Sequence, residues 1–210
     1  MKVWRVHLDR PERPGWWRCL SGAERERALA LAGPLDRRRY VAAHAALRTV
    51  LGRACGVPAG RLRLTVDDAG RPRLDEGRPD FNLSHSDAWA LVAVAPPGMR
   101  VGVDVERVRA DLDHLGLARR LYQPEETARL LAAGPDEGLA GYFRLWTAKE
   151  AFIKATGTGL AGLSDVLIRE GSATSVRSRS LSGPVRWLDV APGYAAAVVT
   201  IASTPAPRTG

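Results

Sequence analysis

The sequence predicts a mixed protein of the α+β or α/β class, and three observations point there. Segments with a two-residue apolar rhythm are interspersed with segments of helical rhythm along the chain. Clusters of Pro and Gly, above all Pro96-Pro97-Gly98, punctuate the order. Both halves also close on a run of small apolar residues, "WALVAVA" at 89–95 and "YAAAVVTIA" at 194–202. A boundary near residue 98 divides the chain into an N-terminal half, 1–98, and a C-terminal half, 99–202. The tail 203–210, "STPAPRTG", has the composition of a disordered terminus.

Each element has a local reason. "KVWRVHL" alternates apolar and polar side chains, as a half-buried strand does. "SGAERERALALAG" is rich in helix formers, with the Ser21 hydroxyl as N-cap and Gly33-Pro34 as the stop. Asp36 opens a second helix in which Tyr40, Ala43, Leu47, Val50 and Leu51 recur at helical spacing; Gly52 or Gly56 ends it. "RLRLTVDD" alternates as a strand before the turn "DAGRP". "FNLSHS" and "DAWALVAVAP" then close the first half. In the second half "MRVGVDVERV" is a strand, and Pro124 with Glu125 and Glu126 suits a helix start, where negative charge meets the dipole. "GLAGYFRLWTAKEAFIKATG" is the next helix, stopped by Gly157. "DVLIREG", "PVRWLDV" and "GYAAAVVTIA" alternate as strands.

A net charge of +8 and a pI near 10.3 favour polyanionic partners. No basic block exceeds "DRRRY", and the 6% of aromatic residues are not interleaved with it, so a nucleic-acid platform is not expected. No apolar run approaches the roughly 18 residues of a membrane span. The N-terminus is not a signal peptide, and Cys19 and Cys55 make neither a disulfide framework nor a zinc motif, so a cytoplasmic protein is expected.

Four stretches carry chemistry. In "VGVDVERV" the valines share one face of a strand, and Asp104 and Glu106 share the other, about 6–7 Å apart at Cα. A solvated edge strand would look the same, but paired carboxylates also suit a hard divalent ion. In "LWTAKEAFIKA", Glu150 and Lys154 are four residues apart on one helical face, with Lys149 about 100° round. Of 31 Lys plus Arg, only Lys2, Lys149 and Lys154 are lysine, which leaves 28 (31 minus 3) arginines. Two lysines beside a glutamate in so arginine-rich a chain suit phosphate oxygens, because an ammonium is a compact point charge. "FNLSHSDAW" offers Ser84, His85 and Ser86 as a phosphate cradle or a polar turn; no GxSxG elbow supports a serine hydrolase. "DRRRYVAAHAALRTVLG" places Arg37, Arg38, Arg39 and Arg48 on or before a helix, with His44 read as a packed residue.

Together, "GRP…FNLSHSDAWALVAV", "VGVDVERV" and "LWTAKEAFIKATGTGL" resemble the signature blocks of the 4′-phosphopantetheinyl transferases, in the larger surfactin-synthetase-activator type. The joint spacing, G-x-D-x-E and then W-x-x-K-E-x-x-x-K some 40 residues on, makes the resemblance specific. It implies an α+β pseudo-dimer of two similar halves with the active site in the cleft between them. It implies Mg²⁺, or Mn²⁺ in its place, on Asp104, Glu106 and Glu150, with Lys149 and Lys154 at the pyrophosphate. Ser84, His85, Arg48 and Arg71 fall at coenzyme A contacts, with Arg25 and Arg27 near the 3′-phosphate.

The implied reaction moves the phosphopantetheine arm of coenzyme A onto a serine of an apo acyl- or peptidyl-carrier protein, releasing adenosine 3′,5′-bisphosphate. Catalysis would fall to Glu150, Lys154 and Asp104, with Glu150 as base, directly or through a bound water. A monomer without nucleic-acid or membrane partners is expected, serving fatty-acid, polyketide or peptide carriers. Two alternatives use the same residues: a Mg²⁺-dependent coenzyme A or nucleotide pyrophosphate hydrolase, and a non-catalytic basic binding protein.

Overall fold

A computed structural model describes residues 1–67, 70–74, 78–170 and 173–203. The first half runs β1 (Lys2–His7), α1 (Pro14–Cys19), α2 (Gly22–Leu29), α3 (Pro34–Cys55), β2 (Thr65–Val66), β3 (Pro72–Arg73), β4 (Phe81–Ser86) and β5 (Trp89–Val94). The second runs β6 (Met99–Arg107), α4 (His114–Leu121), α5 (Pro124–Ala132), α6 (Pro135–Thr156), β7 (Leu167–Arg169), β8 (Ser175–Arg177), β9 (Ser182–Trp187) and β10 (Tyr194–Ala202).

The two halves repeat one topology. In each, the first strand pairs antiparallel with the last, and the last with the one before it: β1-β5-β4 and β6-β10-β9. The second sheet continues into β8 and β7. Each half also contains a 22-residue helix that starts at a Gly-Pro step and ends on a left-handed glycine. α3 lies between Gly33 and Gly56 (φ 66°), and α6 between Gly134 and Gly157 (φ 77°). Proline suits the first turn because it has no N–H to leave unpaired, and glycine takes the left-handed cap without a Cβ clash.

Packing explains why the halves stay together. α6 buries Phe143, Leu145, Phe152 and Ile153 against Ala197, Val199 and Ile201 of β10. α3 does the same with Leu47 and Leu51 against Phe81, Val92 and Val94. A third cluster joins the two sheets: Leu91 and Ala93 of β5 meet Val101, Val103 and Val105 of β6 and Val198 of β10. Each such fully buried aliphatic side chain contributes roughly 1.5–3 kcal/mol. The chain passes from one sheet to the other between Val94 and Met99, but the sheets share this core.

Several sequence expectations need correction. Of the strand expected over 61–68, the described residues 61–67 form only Thr65–Val66, because Ala59–Arg61 turns as a 3-10 helix and breaks the alternation; residue 68 lies outside the described residues. The first long helix stops at Leu29 rather than running to Gly33. α1, α4 and β8 were not anticipated; each is too short to show a period. Residues 204–210 of the expected disordered tail lie outside the described residues.

Candidate active site

The halves meet where β4 runs beside β6 with no backbone ladder between them. β6 gives one edge to β10 and leaves alternate N–H groups on the other. Side chains of alternate residues at β4 satisfy them. Asp80 Oδ2 accepts from Val101 N–H (2.8 Å), Asn82 Oδ1 from Val103 N–H (3.0 Å), Ser84 Oγ from Val105 N–H (3.4 Å) and Ser86 Oγ from Arg107 N–H (3.0 Å). Both strands advance with a period of two, so the four rungs stay in register. Burying these N–H groups unpaired would cost the desolvation of each donor.

The same seam gathers the charged residues. Asp104 is buried, and Glu106 half-buried, on the face of β6 opposite its three core valines. Ser84 Oγ donates to Asp104 Oδ1 at 2.8 Å, and Ser86 Oγ to Glu106 Oε2 at 2.9 Å. α6 brings Lys154, whose Nζ lies 2.6 Å from Asp104 Oδ1 and 3.2 Å from Ser84 Oγ. Gly102 permits this approach: a Cβ there would stand 1.8 Å from Ala151 O and 2.6 Å from Ala155 N of α6. Glycine in "VGVDVE" is therefore a packing requirement, one residue pair away from the carboxylate it helps to place.

Electrostatics couple the carboxylates. Burial raises the Asp104 carboxyl, against Lys154 and Ser84. Burial and then the Asp104 charge raise Glu106. Glu150, half-buried on α6, is raised by burial, opposed by Lys154, and raised further by Asp104 and Glu106. Asp104 Oδ2 is buried with no hydrogen-bond partner among the described residues. No three His, Cys, Asp or Glu groups among those residues are already gathered closely enough to hold a metal ion. The donor chemistry nonetheless fits one: three mutually repelling carboxylates, one with a buried free oxygen, are what a hard divalent cation neutralises.

Other residues expected at the site are placed differently. Lys149 is a correction: it is fully buried on the far side of α6, paired with Glu126 at 2.7 Å and donating to Val166 O, its ammonium 5.0 Å from the Tyr122 ring centroid. It cannot reach a pyrophosphate in the cleft. Arg71 is also turned inward, at 7% exposure; its Nη2 donates to Asp80 (2.6 Å), Phe81 O and Val101 O. Through Nη2 that guanidinium ties the seam together, while its Nε and Nη1 are buried without a hydrogen-bond partner among the described residues. Ser84 spends its hydroxyl on Asp104. Arg25 Nε donates to Trp17 O.

Arg48 and His85 do share a pocket, of about 430 Å³, walled by Tyr40, Leu47, Phe81 and Leu83. Arg48 is 2% exposed and held by Glu24 at 2.6 Å, so it enters the pocket already neutralised. His85 is exposed at the rim, and local desolvation, then Lys154, lower its imidazole below the ordinary value. Sequence reasoning missed Glu24, which also completes a capping box with Ser21. The S-x-x-E spacing was there to be read. Tyr40 and His44, stacked with centroids 3.8 Å apart on α3, were missed as pocket residues too.

Comparison with known proteins follows the same blocks. Residues 100–199 match the family model of the 4′-phosphopantetheinyl transferase superfamily. The 4′-phosphopantetheinyl transferase HetI of Nostoc sp. is 39% identical over 173 residues, covering 79% of this chain and 72% of that protein. The chain belongs to the 4′-phosphopantetheinyl transferase superfamily. Within it, the 4′-phosphopantetheinyl transferase Sfp of Bacillus subtilis is 28% identical over 209 residues and covers 94% of this chain and 91% of its own. Among solved structures, the holo-[acyl-carrier-protein] synthase of Thermotoga maritima matches at a TM-score of 0.41 and 24% identity, over 50% of this chain and 64% of that one. Among the described residues no helix is long and apolar enough to cross a membrane.

Proposed function

We infer that the chain transfers the 4′-phosphopantetheine arm of coenzyme A to a serine hydroxyl of an apo acyl- or peptidyl-carrier protein. Family membership supports the reaction. The observation that supports these residues as its machinery is the convergence of Lys154 of α6, Asp104 and Glu106 of β6 and Ser84 of β4 on one seam.

In the reaction the carrier serine oxygen forms a bond to the phosphorus that bears the pantetheine. The bond from that phosphorus to the bridging pyrophosphate oxygen breaks, and adenosine 3′,5′-bisphosphate leaves with the electron pair. Such transfers depend mainly on positioning and on neutralising charge. Asp104, Glu106 and Glu150 would hold a magnesium ion, which when bound supplies a Lewis acid for pyrophosphate oxygens. Lys154 carries the compact cation of the site and would stabilise charge gathering on the leaving group. Glu150 is the base proposed for the serine proton, directly or through a bound water. The apolar pocket beside His85 would take the adenosine end.

The basic surface suits an acidic carrier, because opposite charges speed encounter and salt screens them. The direct test is incubation with coenzyme A, Mg²⁺ and a panel of apo-carriers, read by intact mass. Coenzyme A cleaved with no carrier present would favour a pyrophosphate hydrolase instead.

A further inference from the structure

Ser86 bonds both to the β6 backbone and to a carboxylate. Its Oγ accepts from Arg107 N–H at 3.0 Å and donates to Glu106 Oε2 at 2.9 Å. Two residues earlier Ser84 does the same, accepting from Val105 N–H at 3.4 Å and donating to Asp104 Oδ1 at 2.8 Å. Each serine thus takes the N–H of the residue after a carboxylate and gives its own hydrogen to that carboxylate. Asp80 and Asn82, the other two rungs, only accept from β6 and touch neither Asp104 nor Glu106 through it. A hydroxyl at a rung does something those side chains do not: it fixes one oxygen of the neighbouring carboxylate. At Asp104 the other oxygen, Oδ2, is left buried and without a partner.

We propose that Ser86, with Ser84 as its repeat, is a positioning residue that orients Glu106 for a divalent cation. The inference rests on the metal reading above. Glu106 sits beside Asp104, and like charges two residues apart on one strand face drive each other apart. Without the Ser86 donor, no other hydrogen bond among the described residues holds Glu106 on the seam, and the side chain gains rotamers that must be lost again on binding an ion. Hydrogen-bonding partners of metal ligands commonly govern affinity in this way.

The test is Mn²⁺ binding to the full chain without coenzyme A, followed by the EPR signal of the free ion. Ser86→Ala is expected to bind Mn²⁺ about tenfold to a hundredfold more weakly than the unaltered chain. Ser86→Thr, which keeps the hydroxyl, is expected to restore affinity. Asn82→Ala removes a rung of the same seam and is expected to leave Mn²⁺ affinity unchanged. Should the alanine variant fail to fold, Ser86→Cys, with its weaker donor, carries the same expectation of weakened binding. Unchanged affinity in the Ser86 variant, or an equal loss in Asn82→Ala, overturns the positioning role while leaving the metal reading intact. No Mn²⁺ binding by the unaltered chain overturns both.

Discussion

Lys154 Nζ stands 2.6 Å from Asp104 Oδ1, and the two come from elements 50 residues apart, α6 and β6. Asp104 is 2% exposed, so this ammonium is the cation that makes its buried charge tolerable. Substituting Lys154→Ala is expected to lower kcat for arm transfer by at least about a hundredfold, the scale of losing one electrostatic stabiliser in a dry site. Steady-state kinetics with one apo-carrier would check it. A kcat within about twofold of the original would remove Lys154 from the chemistry.

Lys149 should behave oppositely. Its partner Glu126 is fully buried, and truncating one member of a buried pair leaves the other charge stranded. Lys149→Ala is expected to destabilise the fold by about 3–5 kcal/mol. For a chain of this length that is a fall in Tm of roughly 6–20 °C. The KM for coenzyme A of the folded fraction should not move. A raised KM with an unchanged melting curve would return Lys149 to the cleft.

The contrast between these lysines marks what could be read in advance. Helical period put Glu150 and Lys154 on one face and Lys149 about 100° away. It could not say which neighbour waited there, because α6 is buried round much of its circumference. The partner, Glu126, is 23 residues back on α5 (149 minus 126). The partner of Arg48 was hidden for the same reason: its guanidinium lines the pocket with His85 but pairs with Glu24 on another helix. The alternation of small polar residues at Asp80, Asn82, Ser84 and Ser86 was visible as a strand pattern, but the β6 edge it serves was not. The closing strands of the two halves looked alike but were too short to establish a repeat, which only the family resemblance implied; short pieces such as α1 and α4 carry too few turns to announce themselves.

Gly102 sets the distance between the two elements that carry the site. Gly102→Ala would drive a Cβ into Ala151 O and Ala155 N. Neither is the end of a flexible side chain, so α6 must shift. Overpacking of this kind costs about 1–3 kcal/mol or more. The expected outcome is a lower Tm together with a loss of kcat, as Lys154 and Glu150 move off Asp104. Loss of stability with full activity in the folded protein would show that the spacing is not critical.

His85 should report on coenzyme A. Its imidazole is held below the ordinary value by local desolvation and by Lys154, which favours the neutral form in the free protein. A phosphate placed beside it would stabilise the cation and raise its pKa. Binding would then take up protons. The added affinity is complete below the free-state pKa and is lost as pH rises through the value in the complex. Calorimetry in two buffers of different ionisation enthalpy should find proton uptake that His85→Gln diminishes. Identical proton exchange in the two proteins would place the phosphates elsewhere.

Asp104, Glu106 and Glu150 are proposed to act with a divalent ion in transferring the arm. The most direct test is the intact mass of an apo-carrier after incubation with coenzyme A and the protein, with Mg²⁺ or with excess chelator. A mass gain of one phosphopantetheine is expected with Mg²⁺, none with chelator, and none with folded Glu150→Ala in Mg²⁺. The same gain in chelator, or full conversion by Glu150→Ala, would contradict that role.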